Sequence, residues 1–92
     1  MIRLTKPQAD VLSSLAVLSQ GNQKWFQTIL IVERRAGERE VTKAFSRATE
    51  SLLEKLTVHV PGLVERRLGK AGYSWKLSVA GVAVAEQLRR NE

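Results

Sequence analysis

The sequence predicts a single α+β domain over residues 1–92: a three-helix core, a two-stranded β-hairpin and a C-terminal helix. Three observations point there. Apolar residues recur at helical spacing as far as Thr57, and Pro61-Gly62 ends that pattern. Tyr73, Trp75 and Leu77 then alternate with Ser74, Lys76 and Ser78, the period of a half-buried strand. With 92 residues, 43% hydrophobic and 26% charged, the chain has the balance of a globular domain. A chain of this length encloses one modest core, burying about 60–65% of its unfolded surface.

The first helix starts at a capping box, Thr5-Lys6-Pro7-Gln8, with Leu4 and Ala9 at the staple positions. Pro7 falls in the first turn, where its missing N–H is harmless. Val11, Leu12, Leu15, Ala16 and Leu18 form its apolar face, and Gly21-Asn22 closes it near Gln20. From Asn22 to Ala36, Trp25, Phe26, Ile29, Leu30 and Val32 fit a helix with Asn22 as its cap. Ile29 to Val32 also suits a buried strand, which periodicity does not separate from a helix. The helix is preferred, after a short extended piece near Trp25.

The third helix is expected over residues 39–57. Val41, Ala44, Phe45, Ala48, Leu52 and Leu56 fall on a stripe roughly 120° wide, with Arg39, Lys43, Ser46, Arg47, Glu50 and Glu54 opposite. The front of that polar face is cationic and its rear acidic. Leu63 to Leu68 reads as a strand, Gly69 to Gly72 as a hairpin loop, and Tyr73 to Leu77 as the return strand. Ser78 caps a last helix from Val79 to about Arg90, whose final arginines suit its C-terminal end.

The absence of cysteine rules out disulfides and thiolate metal sites, and a lone His59 rules out a zinc site built on histidines. No apolar run approaches the roughly 18 residues of a membrane span, and no signal-peptide pattern follows Met1. The expectation is a cytoplasmic protein of a reducing compartment, without membrane contact. Enzymatic chemistry is poorly supplied: there is no phosphate loop, nucleophile elbow or carboxylate cluster. Glu50 and Glu54 read as solvating residues, His59 as structural or exposed, and Asp10 as a residue of the first helix's outer face. No enzyme activity, cofactor or metal is expected.

The charge is more informative. Fifteen Lys and Arg stand against nine Asp and Glu, and the whole excess of +6 lies in two segments. Residues 34–47 carry Arg34, Arg35, Arg39, Lys43 and Arg47 against two glutamates; residues 62–76 carry Arg66, Arg67, Lys70 and Lys76 against Glu65. Positive charge concentrated in this way suits a polyanion. Solvated faces that keep a small protein dispersed are the plainer alternative.

The chain also resembles the winged helix-turn-helix DNA-binding domains of small transcription regulators. The resemblance rests on Phe45-Ser46-Arg47 with Leu52, Leu53 and Leu56, then Gly62-Leu63-Val64-Glu65-Arg66-Arg67, then Tyr73-Ser74-Trp75-Lys76-Leu77-Ser78 with Gly81. It spans nearly the whole chain, through motifs that are individually weak. In two places the chain departs from the family. Gly37 is followed by Glu38-Arg39-Glu40 where an apolar residue is usual, which implies a longer turn or a displaced second helix. Residues Thr57 to Pro61 stand as an insert before the first wing strand.

The resemblance implies that Lys43, Ser46 and Arg47 face the major groove of double-stranded DNA, and that Arg66, Arg67 and Lys70 lie on or near the wing. Elementary chemistry points the same way: a helix N-terminus with cationic side chains suits phosphates, and an arginine such as Arg47 can read guanine through two hydrogen bonds. Arg39 and Lys43 suit phosphates. Arg66 and Arg67 point to opposite faces of their strand, so at most one contacts DNA directly. Tyr73 and Trp75 share a face with Leu77, which indicates core packing rather than base stacking. The last helix is apolar on more than one side, and Val79, Val82, Ala83, Val84 and Leu88 fit a homodimer contact or burial under the first helix. The function expected is double-stranded DNA binding by a small transcription regulator or architectural protein. The alternatives are a protein–protein adaptor with an acidic partner and an RNA-binding domain.

Overall fold

The computed structural model describes residues 3–91; Met1, Ile2 and Glu92, which the single-domain reading includes, lie outside the described residues. Four helices and three strands follow in the order α1 (Lys6–Ser19), β1 (Phe26–Gln27), α2 (Thr28–Ala36), α3 (Lys43–Thr57), β2 (Val64–Gly69), β3 (Gly72–Leu77) and α4 (Val79–Arg90). The sheet is antiparallel with strand order β1-β3-β2. The result is a compact α+β fold with a radius of gyration of 12.1 Å.

The α1 N-terminus forms as its sequence predicts. The Thr5 hydroxyl accepts the Gln8 N–H at 3.2 Å, and the Gln8 side chain accepts the Thr5 N–H at 2.9 Å. Gln20 in the left-handed region and Gly21 close the helix. Residues 22–36 follow the preferred reading, a helix after a short extended piece, and Ile29 to Val32 are helical rather than a strand. Phe26 and Gln27 pair with Trp75 and Ser74, and the helix starts at Thr28 rather than near Asn22. Thr28 ties this junction to the sheet: its hydroxyl accepts the Trp75 Nε1–H at 2.7 Å and donates to the Tyr73 carbonyl at 3.4 Å.

Two expectations about the third helix are corrected. It begins at Lys43 rather than Arg39, because the Thr42 hydroxyl caps it by accepting the Phe45 N–H at 3.1 Å. Its buried residues are Thr49, Leu53 and Leu56, with Phe45 and Leu52 half-buried, while Val41, Ala44 and Ala48 are exposed. The buried face is thus rotated by roughly 80° from the stripe that simple periodicity selects. Thr49 tolerates burial because its hydroxyl donates to the Phe45 carbonyl at 2.8 Å and accepts from Arg35 at 2.9 Å.

The β2–β3 hairpin closes through a two-residue turn, Lys70-Ala71, with Gly72 at a φ of 105° that favours glycine. Leu63 lies just outside β2 and is fully buried. The core joins Val11, Leu12 and Leu15 of α1, Ile31 of α2, Leu53 and Leu56 of α3, and Trp75 and Leu77 of β3. The face shared by Tyr73, Trp75 and Leu77 is the core face, as their alternation predicts, and Trp75 is 0% exposed.

Helix α4 packs against α1 with Gly81 and Ala85 buried, while Val79 is 77% exposed. Ser78 anchors its start, accepting the Gly81 N–H at 2.9 Å and donating its hydroxyl to the Gly62 carbonyl at 2.6 Å. The Ser78 N–H donates to the Leu63 carbonyl at 3.1 Å. At the far end Glu86 accepts from Arg89 and Arg90, and the hydrogen-bonded Arg89 guanidinium holds its carboxyl below the ordinary carboxylate range. No helix among the described residues is long and apolar enough to cross a membrane.

Candidate nucleic-acid interface

The arginines of the first basic segment do different work. Arg35 is drawn inward: its Nε donates to the Asp10 carboxylate at 3.0 Å, its Nη1 donates to Thr49, and its guanidinium lies 4.7 Å from the Phe45 ring centroid. Asp10, expected on the outer face of α1, is exposed yet joined to α2 by this pair. Arg39 turns back over the end of α2, donating at 3.1 Å to both the Ala36 and Arg35 carbonyls and covering Phe45 from the other segment. These are carbonyls that a helix C-terminus leaves without partners. Arg35 and Arg39 therefore brace the connection between α2 and α3.

Arg35→Ala is expected to lower stability by about 2 kcal/mol in urea unfolding, through loss of a charge-assisted hydrogen bond and a cation–π contact. The Asp10 pair adds little, since that carboxylate is 51% exposed and rehydrates readily. A change under about 0.5 kcal/mol would show that the brace is absent in solution.

With the brace in place, α3 turns Lys43, Ala44, Arg47, Ala48 and Ser51 toward solvent, and all five are exposed. Lys43 and Arg47 have no ion-pair partner among the described residues. The first turn of α3 holds no acidic residue. Cations at that end oppose the helix dipole, an arrangement that an external anion would relieve. Ala44 and Ala48, beside the two cations on this face, let a ligand approach the helix backbone closely. Ser46, predicted beside Arg47, is half-buried on the flank of this face.

The hairpin divides its arginines between two sides. Arg66 shares the core side of the sheet with its cross-strand partner Trp75, covers the Tyr73 ring at 4.5 Å and pairs with Glu54 of α3 at 3.6 Å. Glu54, read from sequence as a solvating residue, thus joins α3 to the hairpin. Arg67 projects from the opposite side, where its guanidinium lies 4.4 Å from the Trp25 ring centroid. Lys70 is exposed at the hairpin tip. The sequence-predicted residues consequently occupy three places: the solvent face of α3 (Lys43, Arg47, with Ser46 on its flank), the α2–α3 brace (Arg39) and the hairpin (Arg66, Arg67, Lys70).

Comparison with family models, with curated proteins and with solved structures gives no significant match. The chemistry must therefore be judged from the arrangement itself. Among the described residues no three His, Asp or Glu side chains gather as a metal site would require. His59 brings its Nδ1 within 3.1 Å of the Pro61 carbonyl, a local contact of the loop after α3.

Two residues absent from the predicted site join its charged surface, Trp25 and Lys76. Lys76 Nζ lies 4.8 Å from the Trp25 ring centroid, beside Arg67. Alternation along β3 placed Lys76 opposite Trp75, but nothing in the linear order joins either residue to Trp25. Only the pairing of β1 with β3 does so.

Proposed function

We propose that the chain is a winged helix domain that binds double-stranded DNA, with α3 in the major groove and the β2–β3 hairpin as the wing. The observation that carries this reading is the solvent face of α3: Lys43 and Arg47, one turn apart and without acidic partners among the described residues, beside the exposed Ala44 and Ala48, with Lys43 in the first turn where a cation is otherwise unfavourable. Arg47 is assigned to base edges and Lys43 to phosphate, with Ser46 at the margin. Arg66 and Arg39 support the surface, while Lys70 reaches the DNA backbone from the hairpin tip. The role is that of a small transcription regulator or architectural protein, acting in the cytoplasm without enzymatic activity.

A second copy on the α4 face is part of the proposal. Of Val79, Val82, Ala83, Val84 and Leu88, Val82 lines a groove between α1 and α4 together with Val17; Val84 and Leu88 pack on the core; and the exposed Val79 and Val17 are the apolar surface offered to a twofold contact. Sedimentation is expected to show a dimer at tens of micromolar, and a monomer at that concentration removes this part.

The DNA reading is tested by fluorescence anisotropy with a random-sequence duplex across a salt series. Micromolar binding that weakens log-linearly with salt is expected, with a slope of about 0.9 for each phosphate neutralised. Negligible binding at low salt rejects it in favour of an acidic protein partner, and preference for single-stranded RNA over duplex DNA favours the RNA-binding alternative.

A further inference from the structure

The outer face of the sheet, turned away from the helices, carries a cluster that the DNA reading of α3 does not use. Phe26 faces the core, packed against the buried cluster with Trp75, so Trp25 immediately before it falls on the outer face. Arg67 belongs to β2, at the opposite edge of the three-stranded sheet from β1. Its side chain crosses the central strand over Ser74, its cross-strand partner, and sets its guanidinium on the Trp25 ring.

Lys76, on the central strand, approaches the same ring. Its cross-strand partner on this face is Glu65, yet among the described residues neither Lys76 nor Arg67 has a carboxylate within 4.0 Å. Two cations from neighbouring strands are thus gathered on one aromatic ring without a counter-charge. The ring fixes their positions, so an anion arriving there orders two side chains that have already lost much of their freedom.

We propose that this outer sheet face is a second phosphate-binding surface, on which Arg67 and Lys76, held over Trp25, grip the backbone of a nucleic acid. Backbone phosphates fit better than stacked bases, because the cations already cover the ring on which a base would stack. The surface rests on the nucleic-acid reading of the chain but not on the role of α3. Because α3 packs on the other side of the sheet, phosphates at Trp25 belong to a second segment or to a duplex bent around the hairpin.

Tryptophan emission tests this directly, since Trp75 is fully buried and Trp25 is the other tryptophan of the chain. Adding a duplex of random sequence to the full chain is expected to reduce quenching of Trp25 by iodide; Trp25→Phe removes that signal and identifies its source. Arg67→Ala with Lys76→Ala is expected to lower the salt slope of duplex binding by up to about 2, with far-UV circular dichroism unchanged. Lys43→Ala with Arg47→Ala is expected to weaken binding yet keep the protection of Trp25 at saturating duplex. Normal duplex binding with unchanged iodide quenching, and an unchanged slope in the Arg67 and Lys76 variant, would overturn the sheet surface while leaving the α3 reading intact. Protection of Trp25 by polyglutamate but not by duplex also overturns it and identifies an acidic protein as the partner. Failure of the wild-type chain to bind any nucleic acid overturns both.

Discussion

Gly81→Ala is expected to destabilise the fold by about 3 kcal/mol, at the upper end of typical overpacking costs. A methyl group at position 81 would overlap the Leu63 carbonyl oxygen and stand 2.9 Å from its carbonyl carbon. Neither neighbour yields easily, since that same oxygen accepts the Ser78 N–H and Ser78 caps α4. Relief would require α4 to lift from the start of β2, exposing Leu63 and Ala85. For a domain of this size the loss lowers the melting temperature by roughly 10–20 °C. Gly69→Ala is the matched control: its methyl would meet the Gly72 carbonyl oxygen at an ordinary 3.6 Å. A Gly81→Ala variant melting within about 2 °C of wild type would mean that α4 does not approach β2 so closely in solution.

Reversing the charge of the α3 face should separate binding from folding. Lys43→Glu combined with Arg47→Glu is expected to reduce duplex affinity at low salt by at least about 100-fold, and to lower the salt slope by about 2. Stability should move the other way. Glutamates near the α3 N-terminus favour the helix dipole, by some 0.3–1 kcal/mol for each favourable charge, so melting should be unchanged or slightly higher. Lower affinity together with lower melting temperature would point to damage rather than a lost contact. Unchanged affinity would rule out α3 as the DNA-binding element.

Much of this fold was legible because its signals are local. The Thr5 capping box, the Ser78 cap, the alternation ending at Leu77 and the tight Gly69–Gly72 hairpin each depend on residues a few positions apart. The orientation of α3 was not local. Ala44 and Ala48 count as apolar in any periodic scan, yet an alanine suits either side of a helix, and Thr49 counts as polar although Arg35 and Phe45 satisfy its hydroxyl. Three ambiguous residues sufficed to turn the stripe. The candidate site divided on the same line: Lys43 and Arg47 could be read from one helix, whereas the bracing position of Arg39 required the end of α2. The Trp25 cluster needed the pairing of a two-residue strand with one nearly fifty positions later. Short strands carry little periodic signal, so that register is set by tertiary packing.

The closure of α1 by α4 and of β1 by β3 has a consequence for synthesis on the ribosome. Contacts that complete the core join segments far apart in the chain. Val11, Leu15 and Ile31 emerge long before β3 and α4 can cover their cluster. Until then the core face of the early helices, which β3 and α4 cover in the finished fold, leaves apolar surface available to chaperones. The contacts of β3 and α4 with the first two helices are therefore among the last the growing chain can make.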